Sequence, residues 1–274
     1  MSDAARFDPD LRVWVLSRYD DVLAALKEPG FVQTGESGPV DAPAQLKTRA
    51  DVLAALPIAK LDGWQRRIAP ITNDILDRLP VERPVDLVAE FVKPWCDAIA
   101  SVVMEDYLKP LAIGLSDTLP GFLSNALHNL IRDPDEFARL RSEQDVMQRA
   151  VEELLRHAGP VHTLVRTATA DVEIGGARIA GGDRVILKLA DANRDVSRFA
   201  DADRLDVGRK IAGHVALGAG PHSCAGAVVV RMATAVVAGA FTTKFAGAEL
   251  AGPVQWHEGS TRRWPESLPV ILRR

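Results

Sequence analysis

Residues 217–226 read LGAGPHSCAG and run straight into an apolar segment. Gly218, Gly220 and Gly226 permit a tight turn with positive φ, and Cys224 falls just before or within the first turn of a helix read over 225–241. Backbone N–H groups and the positive end of the helix dipole favour a thiolate there, which serves as a nucleophile or a metal ligand. A buried structural thiol beside a glycine-rich turn accounts for the cysteine alone equally well. Glu153 and Arg156, one turn apart in EELLR, describe in isolation an exposed ion pair of about 0.2–0.5 kcal/mol. Asp117 and Thr118 stand beside Pro120 in an apolar helix. They set an acid next to a hydroxyl, which suits a proton relay or a threonine bonded back to a carbonyl near a proline kink.

The elements that position these groups follow from periodicity. Residues 11–16 alternate as a strand, and SRYDDVLAALKEP follows as a short amphipathic helix with Ser17 as its N-cap and Pro29 as its stop. Residues 30–48 read as loop. Helical patterns occupy about 49–56, 64–79, 84–104 and 111–132, the last kinked near Pro120. DPDEFARLRSEQ and DVMQRAVEELLRHAG add two helices, each opened by an Asp that suits the helix dipole. From Val161 the period shortens to short strands with Gly-Gly turns. Beyond Asn193 the chain is irregular up to the 225–241 helix, and short strands close it. The fold class is mainly α with small β-sheets (α+β), without repeats.

Composition narrows the function. The 274 residues are 47% hydrophobic, with 33 basic and 37 acidic side chains and a formal net charge of −4. One large core or two smaller ones fit that length, and the absence of a basic excess argues against nucleic acid. Two cysteines, Cys96 and Cys224, in no CxxC pattern support neither a disulfide framework nor structural zinc, and fit a cytoplasmic location. The charged start MSDAARFDPD is unlike a signal peptide, and Arg231 interrupts the longest apolar stretch, so no membrane span is expected.

Taken together, the motifs resemble those of the bacterial cytochromes P450. The run at 217–226 is similar to the haem-ligand loop Phe-Gly-x-Gly-x-His/Arg-x-Cys-x-Gly: Gly218, Gly220, His222, Cys224 and Gly226 match, and Leu217 replaces the Phe. ELLR matches Glu-x-x-Arg, RLDVGR at 204–209 supplies a third member, Arg209, and ANRD, WVLSRYDDVLAAL and SLPV follow the same pattern. The resemblance implies haem b with Cys224 as axial thiolate, His222 and Arg166 on the propionates, and Glu153, Arg156 and Arg209 as a buried structural network. It places Asp117 and Thr118, in GLSDTL, as the acid and alcohol that supply protons during oxygen activation. Leu115 and Leu119 depart from that motif, and Pro120 adds an irregularity. Trp64 and Arg67, in WQRRIAPIT, are the best match to an aromatic and an arginine at the propionates.

The chain is over a hundred residues shorter than a usual member, and the shortage is internal. Only EDYLKP separates PVDLVAEFVKPWCDAIASVVM from the GLSDTL helix, too few residues for a helix of ordinary length, about 8–20 residues. The expectation is a truncated cytochrome P450 fold, one haem domain over 1–274 with a compressed part at 1–110 and a haem-binding core at 111–274, lacking the lid over the substrate pocket. Its implied activity is a haem-thiolate monooxygenase for a small or carrier-presented organic substrate, with secondary metabolism as one setting. Electrons come from an external ferredoxin or flavoprotein, and a homodimer or partner protein covers the distal face. The alternatives are a haem protein without oxygenase activity (an isomerase or dehydratase, a peroxide-driven enzyme, a sensor, or a regulatory partner subunit) and a remnant without haem. The presence of all five of Cys224, His222, Arg166, Asp117 and Thr118 argues against the last.

Overall fold

Two apolar clusters organise the chain, one among helices and one beneath a small sheet. The computed structural model describes residues 5–35, 38–39, 50–54, 56, 58–105, 109–210, 213–259 and 261–274. The helical body comprises α2 (Ile58–Arg78), α3 (Lys93–Glu105), α4 (Lys109–Arg132), α5 (Pro134–Ser142), α6 (Met147–Ala158) and α8 (Ala227–Lys244). Phe91, Phe137, Phe241 and Phe245 lock its centre through ring contacts with centroids 5.1–6.2 Å apart. By length and composition α8 could cross a membrane, but Val229, Ala233, Val237 and Phe241 are buried within this body.

The sheet layer orders its strands as β1 (Arg6–Asp8), β2 (Val13–Leu16), β10 (Arg184–Lys188), β7 (Thr163–Ala168) and β3 (Phe31–Val32). All neighbours are antiparallel except β2 and β10. Helix α1 (Tyr19–Lys27) packs beneath it through Tyr19, Val22, Ala25 and Leu26. Gly175 and Gly176, both at positive φ, close the hairpin of β8 (Val172–Ile174) and β9 (Ala177–Ile179), the role that a Gly-Gly pair plays in a tight hairpin turn. A short helix α7 (Leu189–Ala192) follows β10. Two further short strands, β4 (Thr34–Gly35) and β5 (Gly38–Pro39), pair with each other. At the carboxyl end, β11 (Gly247–Leu250), β14 (Pro269–Arg273) and β6 (Pro84–Asp86) form one sheet, and β12 (Gln255–Glu258) with β13 (Arg263–Ser267) a hairpin.

Several boundaries differ from the sequence expectation, each for a local reason. Ser17 does not cap α1. Arg18 holds the cap position without a side-chain bond, and Asp195 accepts from the Tyr19 N–H at 2.9 Å instead. The helix expected over 84–104 begins as strand β6, because Pro84, lacking an N–H, fits the edge of a sheet; a π-helical turn, Val88–Val92, then leads into α3. Helix α2 starts six residues before the expected position and carries Pro70 within it. Asp133 caps α5 by accepting from the Glu136 N–H at 3.2 Å, whereas Val146 holds the cap of α6. Much of the loop expected at 30–48 lies outside the described residues.

Candidate haem site

The glycine-cysteine run folds back on itself ahead of α8. Cys224 donates its N–H to the Leu217 carbonyl at 2.8 Å, and Ser223 donates to Gly220 at 3.1 Å. Gly218 and Gly220 take φ of +69° and +67°. A Cβ on Gly220 would stand 2.5 Å from the Leu26 carbonyl oxygen, so glycine is required both by its torsion and by the closeness of α1. Helix α8 starts at Ala227 with Gly226 at its N-cap, which places half-buried Cys224 before the helix rather than in its first turn. Cys96, by contrast, is packed within α3, where burial pushes its thiol up.

Cys224 faces a largely apolar cavity of about 200 Å³. It is lined by Leu217, Gly218, His222 and Cys224 of the loop, by Thr118, Leu119 and Phe122 of α4, and by Val161 and Leu164. Arg166 is buried and shares a strand face with Leu164, two residues away on β7. One sulfur and one imidazole in a largely apolar lining suit an apolar group that takes a single sulfur ligand and carries an acidic substituent within reach of His222. Among the described residues no cluster of three or more His, Cys, Asp or Glu could hold a bare metal ion.

Behind the loop, Glu153 and Arg156 are 0% and 1% exposed, so the pair is not the exposed one that helical spacing alone suggests. Arg156 Nε and Nη2 donate to the two Glu153 oxygens at 2.7 and 2.8 Å. Arg209 Nε reaches Glu153 Oε1 at 3.1 Å. Arg156 Nη1 also donates to the carbonyls of Asn193 and Ala202, both at 2.7 Å. Asn193 Oδ1 in turn accepts from the Val215 N–H at 2.8 Å. The ANRD segment thus ties the ion network to the base of the cysteine loop, while its Asp195 anchors α1.

Not every residue singled out in the sequence lines the cavity. Asp117 and Thr118 diverge: Thr118 lines the cavity, while Asp117 accepts from Arg262 Nη1 at 2.9 Å and borders an open groove with Ala100, Met104 and Ser116. Arg67 pairs with Glu105 and Trp64 is buried in the helical core, so neither is among the cavity-lining residues. Residues 211–212 lie outside the described residues. The sequence reading missed Arg262, and it missed His214, Glu152 and Arg231, which share hydrogen bonds beside the loop. Arg262 and His214 follow no helical or strand period, and their partners are 145 and 62 residues away.

Residues 113–246 match the sequence profile of the cytochrome P450 family. Cytochrome P450 CYP199A2 of Rhodopseudomonas palustris is 44% identical over 162 residues, 59% of this chain and 39% of that protein. These matches support a bacterial-type cytochrome P450. Cytochrome P450 107B1 of Saccharopolyspora erythraea is 28% identical across 95% of this chain and 89% of the relative. That alignment extends over 365 positions against 274 residues here, so much of the relative's interior has no counterpart. The crystal structure of CYP109B1 from Bacillus subtilis shares the fold, with a TM-score of 0.87, 22% identity and coverage of 98% of this chain and 95% of that chain. The length difference from cytochrome P450 107B1 lies within the aligned span. Helices α3 and α4 end and begin three residues apart, beside the groove that Asp117 borders.

Proposed function

We propose that this protein is a haem-thiolate monooxygenase acting on a small or carrier-presented organic substrate, with the whole chain serving as one haem-binding unit. The observation that carries the reading is the single, largely apolar cavity that Cys224, His222 and Thr118 all line. Cys224 would hold haem iron as a thiolate, and His222 with Arg166 would bind the propionates through charge-assisted hydrogen bonds. When bound, haem supplies an electron-rich, thiolate-ligated iron for oxygen chemistry.

The protein's own part is positioning, exclusion of water and proton supply. Leu119, Phe122, Val161 and Leu164 keep the space apolar, which strengthens every polar interaction within it. The Thr118 hydroxyl would hand a proton into the cavity it lines, while Asp117 stands outside that cavity and accepts from Arg262 Nη1. The net reaction consumes dioxygen, two electrons and two protons, places one oxygen atom on the substrate and releases the other as water. The electrons come from a separate ferredoxin or flavoprotein.

A second reading, a haem protein without oxygenase activity, draws on the pairing of Asp117 with Arg262 and on the short α3–α4 junction. Such a protein would work as an isomerase or dehydratase, with peroxide, or as a subunit covering a partner's face. Two measurements separate the readings. The haem-loaded wild type should give a thiolate-type ferrous–CO difference spectrum that Cys224→Ala abolishes. Thr118→Ala should then lower the fraction of electrons recovered in product by about 10-fold or more, the usual scale of a positioned proton donor. Unchanged coupling in that variant would favour the second reading.

A further inference from the structure

Glu152, beside the buried Glu153 on α6, makes a different set of bonds. Its Oε1 accepts from Arg231 Nε at 2.6 Å and its Oε2 from Arg231 Nη2 at 3.1 Å, a two-pronged contact that fixes the carboxylate plane. Oε2 also accepts from His214 Nε2 at 3.1 Å. The His214 side chain is 2% exposed, and its Nδ1 accepts the Ala216 N–H at 3.2 Å. An Nδ1 that accepts a backbone N–H carries no proton, so the ring proton sits on Nε2 and points at Glu152. These bonds hold Glu152 well ionised, at a pKa of about 2, chiefly through His214 and Arg231.

The chain of bonds ends at the cysteine. Ala216 precedes Leu217, whose carbonyl accepts the Cys224 N–H at 2.8 Å. On the other side Val215 is held by Asn193, and Asn193 by Arg156 of the buried network. Adjacent residues of α6 thus grip the same loop from two directions, Glu153 through Arg156 and Asn193, Glu152 through His214. Arg231 adds α8, the helix that the loop enters.

We infer that Glu152 is a positioning residue for the Cys224 loop, acting through His214, with Arg231 fixing the carboxylate. The inference rests on the haem-thiolate reading. Nothing in it requires Glu152 to touch substrate or cofactor. Its effect is to set the height of the Leu217 carbonyl, and with it the direction of the Cys224 N–H and sulfur.

The test uses the full chain loaded with haem, read by ferrous–CO difference spectra and by the rate of haem transfer to a scavenging apoprotein. Glu152→Ala should reduce the thiolate-type share of the spectrum and speed haem loss about 10-fold, the usual cost of removing a group that orients a metal ligand. Glu152→Gln keeps an acceptor for His214 and should restore most of both signals. His214→Asn keeps an acceptor near Ala216 but cannot reach Glu152, and should behave like Glu152→Ala. A wild-type spectrum and haem-loss rate in Glu152→Ala, even with a lowered melting temperature, would overturn the inference. If that variant does not fold, unaltered signals in His214→Asn would overturn it just as well. A wild-type protein that shows no Soret band after loading would instead sink the haem reading itself.

Discussion

Glu153 and Arg156 show how burial changes the meaning of a pair. On an exposed helix the two charges contribute a few tenths of a kcal/mol. Here both are out of solvent, and every Arg156 nitrogen has an acceptor. The network is worth little compared with an apolar core of the same shape, because desolvation offsets most of the attraction. Breaking it strands a charge. Arg156→Leu should therefore cost about 3–5 kcal/mol in urea denaturation, several times more than removing exposed Arg178, whose partner Asp171 is at the surface. The same logic separates Glu153 from its neighbour Glu152. The first is locked into stability, while the second, partly open to solvent, is free to tune a loop.

Helix α4 carries the cavity wall on one face and packs against β13 on another. Thr118, Leu119 and Phe122 point into the cavity, while Gly121 lies under Trp264. A Cβ there would approach the indole to 2.8 Å, and the indole is already stacked on His257 at 4.1 Å. Pro120, one residue earlier, removes a helical hydrogen bond, so a push at Gly121 is passed on as a bend of the helix. Gly121→Ala is expected to cost about 1–3 kcal/mol, the usual penalty of overpacking. It should also shift Thr118, visible as altered ligand-binding spectra of the haem-loaded protein. Denaturation curves and optical titrations check the two effects separately.

The titration of the assembled protein follows from three histidines. Burial lowers the pKa of His128, His157 and His162 below the ordinary 6.5, so the unfolded chain binds protons first as pH falls. Their neutral form favours the fold, and that contribution is complete above pH 6.5 and is lost as pH drops through 6.5 toward the lower folded values. The urea midpoint should decline between pH 7.5 and 5.5. His157→Gln should reduce the slope, since His157 bridges Asn129 and the Asp203 carbonyl. Glu152 has the carboxylate sign: its folded pKa of about 2 lies below the ordinary 4.5, so its contribution holds above 4.5 and is lost only between 4.5 and 2. A second acid transition in that lower window, weakened in Glu152→Gln, separates the two sources.

The cysteine loop, the helix order and the Glu-x-x-Arg pair were legible in the amino-acid sequence because each is set locally. Positive φ demands glycine at Gly218 and Gly220, an apolar period marks α4 and α8, and helical spacing alone puts Glu153 beside Arg156. The short span ahead of α4 was equally plain, since the six residues EDYLKP are too few for a helix of ordinary length. Contacts between distant segments were not legible. That Asp117 turns to Arg262 rather than joining Thr118 depends on how β13 crosses α4. That Arg67 meets Glu105 depends on how α2 lies along α3. His214 finds Glu152 and Ala216 only when the loop folds over α6. Sequence alone determined the chemical equipment, a glycine-cysteine loop, a threonine and a Glu-x-x-Arg pair. The tertiary structure decided which of these groups share a cavity, because an angle between packed elements is the sum of many side-chain contacts and leaves no period in the chain.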